Sequence, residues 1–260
     1  MKNYIFSTIM MIITASGAFA ANFSLSAGAG GLLGYTFTRY NLTCEGNLPG
    51  GDRSSILSRQ SMDRFNYGGF IFFDATYAEI SVMFQGGYSS WAESVDITPH
   101  GHSTERFAYG EGLGSEMSVG FSLAGKYPFA ISEKITLFPL LGAEYRISLR
   151  QWRQPDGEKT YDRADPLTWD GDKPEDRDKN GNPYPLSAWN SIQINVGAGF
   201  DYTITGPLYL RGELIFGFRL MTGYETGALE TTKTMFSAPD PRLAGLTGGP
   251  DFRIGLGYRF

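Results

Sequence analysis

One cysteine, two histidines and no run dense in lysine or arginine make up the shortages of this chain, and each closes a class of function. A lone Cys44 forms no internal disulfide, and no Cys-x-x-Cys or Cys/His spacing exists for a zinc or redox centre. Cys44 reads as a free thiol in a loop. With 22 Lys+Arg against 27 Asp+Glu and a net charge of −5, the chain lacks the basic footprint that nucleic-acid binding needs. Charged residues are only 19%, yet past the N-terminus no stretch is continuously apolar, so the apolar residues must be dispersed. Glycine-rich pieces such as Gly28-Ala29-Gly30-Gly31 have neither the following helix nor the Gly-Lys-Ser/Thr ending of a phosphate loop.

Aromatics, at 15%, and 34 glycines are what the sequence has in excess. Its start, Met1-Lys2-Asn3, leads into an apolar stretch from Tyr4 to Ile13 and closes on Ala18-Phe19-Ala20. A short basic start, a core too short to span comfortably and an A-x-A end predict a secretory signal peptide over residues 1–20, cleaved after Ala20. The competing reading is an uncleaved inner-membrane anchor. Cys44 lies too far downstream to be a lipoprotein cysteine, and residues 21–260 form one domain.

Alternation with period 2 dominates that domain, as in strands whose successive residues face opposite ways. Eight segments show it, near 22–38, 65–74, 79–91, 113–127, 135–150, 190–204, 208–220 and 251–260. One face carries residues such as Leu33, Phe65, Ile71, Ile80, Phe84, Leu123, Leu141, Ile194, Leu214, Phe252 and Phe260, and no Asp, Glu, Lys or Arg. The other face holds the acids Asp74, Glu79, Glu116, Glu144, Asp201, Glu213 and Asp251 and the bases Lys126, Arg146, Arg150, Arg211, Arg219, Arg253 and Arg259. Short turns near 75–78, 128–134 and 205–207 alternate with long polar connections at 39–63, 92–112, 151–188 and 221–250.

This pattern predicts an all-β fold, a closed up-and-down antiparallel transmembrane β-barrel of about eight strands with short periplasmic turns and four long external loops. A ten-strand variant needs a hairpin within 221–250, where Pro239, Pro241 and Pro250 argue against one. A soluble sandwich or lipocalin-like barrel would turn the apolar face inward. Three features favour apolar-out: the export segment, the charge exclusion, and aromatics at strand ends, with Tyr77, Tyr127, Tyr202 and Phe260 at one end and Tyr88, Trp91 and Trp189 at the other. Eight strands enclose a lumen that side chains fill, so Glu144, Arg146, Arg211, Glu213 and Arg253 are expected to pair within a charge network that leaves no large pore.

The eight segments, the loop asymmetry and the ending Leu256-Gly257-Tyr258-Arg259-Phe260 resemble the small outer-membrane barrels of the OmpA membrane domain, OmpX, OmpW and opacity-protein group. That resemblance implies that Tyr258 and Phe260 are an assembly signal read by the outer-membrane barrel assembly machinery. It also implies functions ranging over adhesion and surface defence, membrane structure, and passage of small hydrophobic molecules, among which fold does not choose.

Two clusters carry chemistry. Asp176, Asp178 and Asn180, followed by Gly181, match the start of a calcium-binding loop, with Asp170 and Asp172 nearby, although position 12 is Ser187 instead of Glu. The competing reading is a solvated acidic turn. His100 and His102, with Ser103 and Glu105, are the one set from which a Ser–His hydrolase could be built, but they are consecutive in a loop rather than converging from rigid strands. The leading expectation is therefore no enzyme and no cofactor other than calcium. It is an integral outer-membrane surface protein in contact with lipid, whose loops meet extracellular or host molecules. A narrow conduit for small solutes is the alternative and a membrane-embedded hydrolase the third reading.

Overall fold

The computed structural model describes residues 24–47, 53–99, 103–155, 161–162, 186–220 and 242–260. Eight long strands dominate: β1 Leu25–Asn47, β2 Arg53–Ala75, β3 Ala78–Pro99, β4 Glu105–Lys126, β5 Ile135–Pro155, β6 Ser191–Thr205, β7 Leu208–Arg219 and β8 Arg242–Arg259. Each pairs antiparallel with its neighbours in the chain, and β1 pairs with β8, so the ring is closed and its two-dimensional edge disappears. Two-residue pairings, Phe129–Ala130 and Tyr161–Asp162, lie against the two ends of β5, and a 3₁₀ turn covers Leu186–Trp189. Because eight strands close the ring by direct pairing, a ten-strand ring is ruled out.

The two faces of the wall are sorted opposite to those of a water-soluble protein. Phe65, Ile71, Phe73, Ile80, Leu123, Leu141, Leu214 and Leu256 are exposed on the outside, whereas Arg211, Arg253, Glu144 and Glu213 are at most 2% exposed inside. Water does not cover a continuous apolar belt of this extent, and in lipid a closed sheet satisfies its own backbone groups. The barrel is therefore apolar-out and transmembrane, and the sandwich and lipocalin-like readings fall.

Aromatic residues edge the belt. At the short-turn end Tyr127 packs on Tyr77 and Phe129, and Tyr258 on Phe260 with ring centroids 5.6 Å apart. Towards the other end Tyr67 stacks on Tyr88 at 6.0 Å, and Tyr35 donates its hydroxyl to Asp63 at 2.7 Å, which also accepts from Arg39 at 2.8 Å. That outward-facing charged pair marks where the apolar belt stops. Trp91, expected in this outer girdle, is instead buried in the lumen, because outward positions on β3 are even-numbered and 91 is odd.

Strand lengths depart from the sequence reading. The stretches 39–63 and 92–112, expected as loops, are largely strand: β1 and β2 stay in register up to Asn47 and Arg53, and β3 and β4 pair up to Ile97 and Glu105 across a register shift between Val95 and Asp96. Beyond the lipid neither face need be apolar, so Arg59, Ser61 and Asp63 alternate with Ser58, Gln60 and Met62 without any amphipathic signal. Likewise β8 begins at Arg242 rather than near 251, and Pro250 lies inside it opposite Phe216 of β7. On the β1 side, pairing lapses between Gly34 with Asp251 and Phe37 with Gly248, where Pro250 has no N–H to give. The strands still touch there, since a Cβ on Gly249 would collide with the Tyr35 carbonyl oxygen.

Candidate functional site

Inward side chains of seven strands, β2 to β8, build two tiers of charge. In the tier nearer the short turns, Arg211 of β7 is fully buried and donates to Asp201 at 2.8 and 2.9 Å, to Glu79 at 2.6 Å and to Asp74 at 2.5 Å. Its guanidinium also lies over Phe72 at 4.4 Å and near Phe138 and Tyr209, so charge and ring faces share its desolvation. Lys126 pairs with Asp74, and Arg259 approaches Asp201 at 4.0 Å. Tyr209 shares a hydrogen bond with Ser26 at 2.8 Å. Phe70, Phe72, Leu32, Met83 and Tyr209 pack around this tier as the lumen's apolar filling.

Further up, Glu144 of β5 accepts from Arg146 at 3.0 and 2.8 Å and from Asn195 at 3.3 Å, while Arg253 of β8 stands 3.7 Å away. Gln193 donates to Asn195 at 2.7 Å, Arg64 pairs with Glu116, and Arg219 donates to Thr247 at 3.4 Å. Asp251 is buried in the field of Arg146 and Arg253. Glu213 lies between the tiers. Above them, Tyr40, Leu42, Cys44, Trp91 and Ile97 form a buried apolar lining. Tyr40 shares a hydrogen bond with Thr247 at 2.9 Å, and the Trp91 indole donates to the Leu113 carbonyl at 3.3 Å.

Buried ion pairs gain little over an apolar filling of the same volume, but removing one partner leaves a stranded charge that costs about 3–5 kcal/mol. The intact network therefore adds little over such a filling, whereas loss of any one member is costly. A lumen cavity of about 10 Å³ beside Glu213 and Arg253 is no wider than a water. Among the described residues the two tiers fill the lumen at this level.

Glu144, Arg146, Arg211, Glu213 and Arg253 all lie in the lumen. Arg150 does not: a β-bulge between Met117 and Ser118 leaves Leu149 as the extra residue of β5, so Arg150 pairs with outward Met117 and is exposed. Arg64 takes its place inside, and sequence reading missed it by starting β2 at 65, although Arg64 shares the parity of Asn66, Phe70, Phe72 and Asp74. Cys44 is a free thiol, but it is buried on β1 rather than in a loop. Tyr258 and Phe260 face outward at the short-turn rim. Asp176, Asp178 and Asn180, the histidines His100 and His102, and the export segment lie outside the described residues, whereas Ser103 is exposed and Glu105 opens β4. Among the described residues no group of His, Cys, Asp and Glu is arranged to hold a metal ion.

Neither a family model nor a curated protein sequence matches the chain. Among solved structures it is similar to the outer membrane protein OprG from Pseudomonas aeruginosa, at 10% identity over 91% of this chain and 95% of that one, with a TM-score of 0.36. It is also similar to Ail, the attachment invasion locus protein of Yersinia pestis, at 12% identity over 90% and 99% with a TM-score of 0.29. The outer membrane protease OmpT from Escherichia coli is a further such structure, at 9% identity over 92% and 97% with a TM-score of 0.25.

Proposed function

We propose that the chain is an exported, integral outer-membrane surface protein whose plugged barrel is a rigid anchor for a raised strand wall that binds molecules outside the cell. The observation that carries this reading is the unequal height of the barrel. Strands β1 to β4 are 22 or 23 residues long, whereas β6 has 15 and β7 has 12. A membrane-spanning strand needs only about 9–11 residues, so β1 to β4, with the 21-residue β5 and the 18-residue β8 still paired to β4 and β1 along part of that height, extend well past the lipid. Among the described residues no strand pairs with the outer edge of β4 above Gly112, where pairing with β5 ends.

In this reading residues 1–20 direct export, Tyr258 and Phe260 serve barrel assembly, and contact with extracellular or host molecules resides in the raised wall and its connections. A Ser103→Cys variant in a Cys44→Ser background tests the orientation. Intact cells are expected to take up a membrane-impermeant maleimide at position 103, and labelling only after lysis would reverse the orientation and remove the proposal. The alternative of a narrow conduit draws on one observation, the apolar lining of Tyr40, Leu42, Trp91 and Ile97 above the plug. Uptake of small apolar solutes into liposomes carrying the protein discriminates it.

A further inference from the structure

Glu213 is the carboxylate that the ion network surrounds without bonding. Among the described residues it alone has both carboxylate oxygens buried and without a hydrogen-bond partner, and it is 1% exposed. One oxygen stands 4.0 Å from Arg211 Nε in the lower tier and the other 3.9 Å from an Arg253 terminal nitrogen in the upper. Both separations exceed a hydrogen bond, and a water set beside the gap bridges groups at such a distance. Arg253 mirrors the deficit, with its Nε and one terminal nitrogen unpartnered. Glu213 and Arg253 line the cavity of about 10 Å³ together with Glu79, Ala124, Lys126 and Asn195. That is roughly the least space that holds a water.

Charge around the cavity selects the class of guest. Two carboxylates, Glu79 and Glu213, face two cations, Lys126 and Arg253. A metal ion is repelled by the cations and an anion by the carboxylates. A neutral molecule that both donates and accepts fits each side, donating to Glu213 and accepting from Arg253. We infer that the cavity is a binding site for one long-lived water, which through Glu213 joins the two tiers of the plug into a single network.

The test uses the folded, ¹⁵N-labelled barrel in micelles and water-selective NOE and ROE spectra at the Arg253 Nε–H, assigned through its loss in Arg253→Lys. A cross-peak with the sign of a water tumbling with the protein is expected, and Glu213→Gln, which still accepts, keeps it. Ala124→Val grows two methyl groups into the cavity. It is expected to abolish the cross-peak and lower the unfolding midpoint, because displaced water strands Glu213 and Arg253, whereas filling a dry void would raise the midpoint. Absence of the cross-peak in the unsubstituted protein, or a raised midpoint in Ala124→Val, overturns the site. A shift of the Arg253 resonance when sodium is exchanged for rubidium overturns it in favour of a cation. The spectrum of the unsubstituted protein decides even where Ala124→Val does not fold.

Discussion

Single residues in this barrel are governed by which side of the wall they face. Leu214 is 60% exposed on the lipid side, one position from the fully enclosed Glu213. Leu214→Arg is expected to destabilise the folded barrel by about 2–4 kcal/mol if it lies near the bilayer midplane, read as a lower urea midpoint in lipid vesicles. Inside, Arg211 is bonded to three carboxylates, Asp74, Glu79 and Asp201. Arg211→Ala strands them and is expected to lower stability by about 3–5 kcal/mol. Adding Glu79→Gln, at a residue whose one described ion pair is with Arg211, while Asp74 keeps Lys126 and Asp201 keeps Arg259, should restore part of that loss in the same urea titration, and no recovery would show that the ring contacts of Arg211 matter more than its charge.

Strands were legible in the sequence wherever lipid enforces a difference between faces. From Leu25 to Phe37 and from Phe252 to Phe260 every second side chain meets acyl chains, and parity alone sorts Glu144 and Arg253 inward. Above the belt the apolar face changes sides on β1, where Tyr40, Leu42 and Cys44 turn inward and Asn41 and Thr43 outward, and it fades on β2 through Arg59 and Ser61, so neither continuation read as part of the lipid-facing pattern. Arg150 was misplaced for a different reason: one extra residue in β5 reverses parity, and composition does not announce a bulge. The plug was legible as a set of residue types, whereas its division into two tiers about Glu213 depends on strand register. Two expectations belong at this scale. Gly249→Val forces a side chain against the Tyr35 carbonyl beside Pro250, and the heat-sensitive mobility shift of the folded form in detergent gels should be lost or sharply reduced. Deleting residues 45–55 shortens only the ribbon of β1 and β2 beyond the lipid, so that shift should survive while binding to outside molecules falls.

For the molecule as a whole, the tiers leave water-sized space and span the ring, with Arg211 reaching from β7 to carboxylates on β2, β3 and β6. Planar bilayers containing the protein are accordingly expected to show no discrete, reproducible openings, and openings abolished by adding solute would instead favour the conduit. The unequal wall has a further consequence. A cylinder of even height treats every direction around its axis alike, but here the long strands stand on one flank and the shortest, β7, on the other. Among the described residues the strand wall thus has a bearing within the plane of the membrane, its tall side at β1 to β4 and its short side at β7.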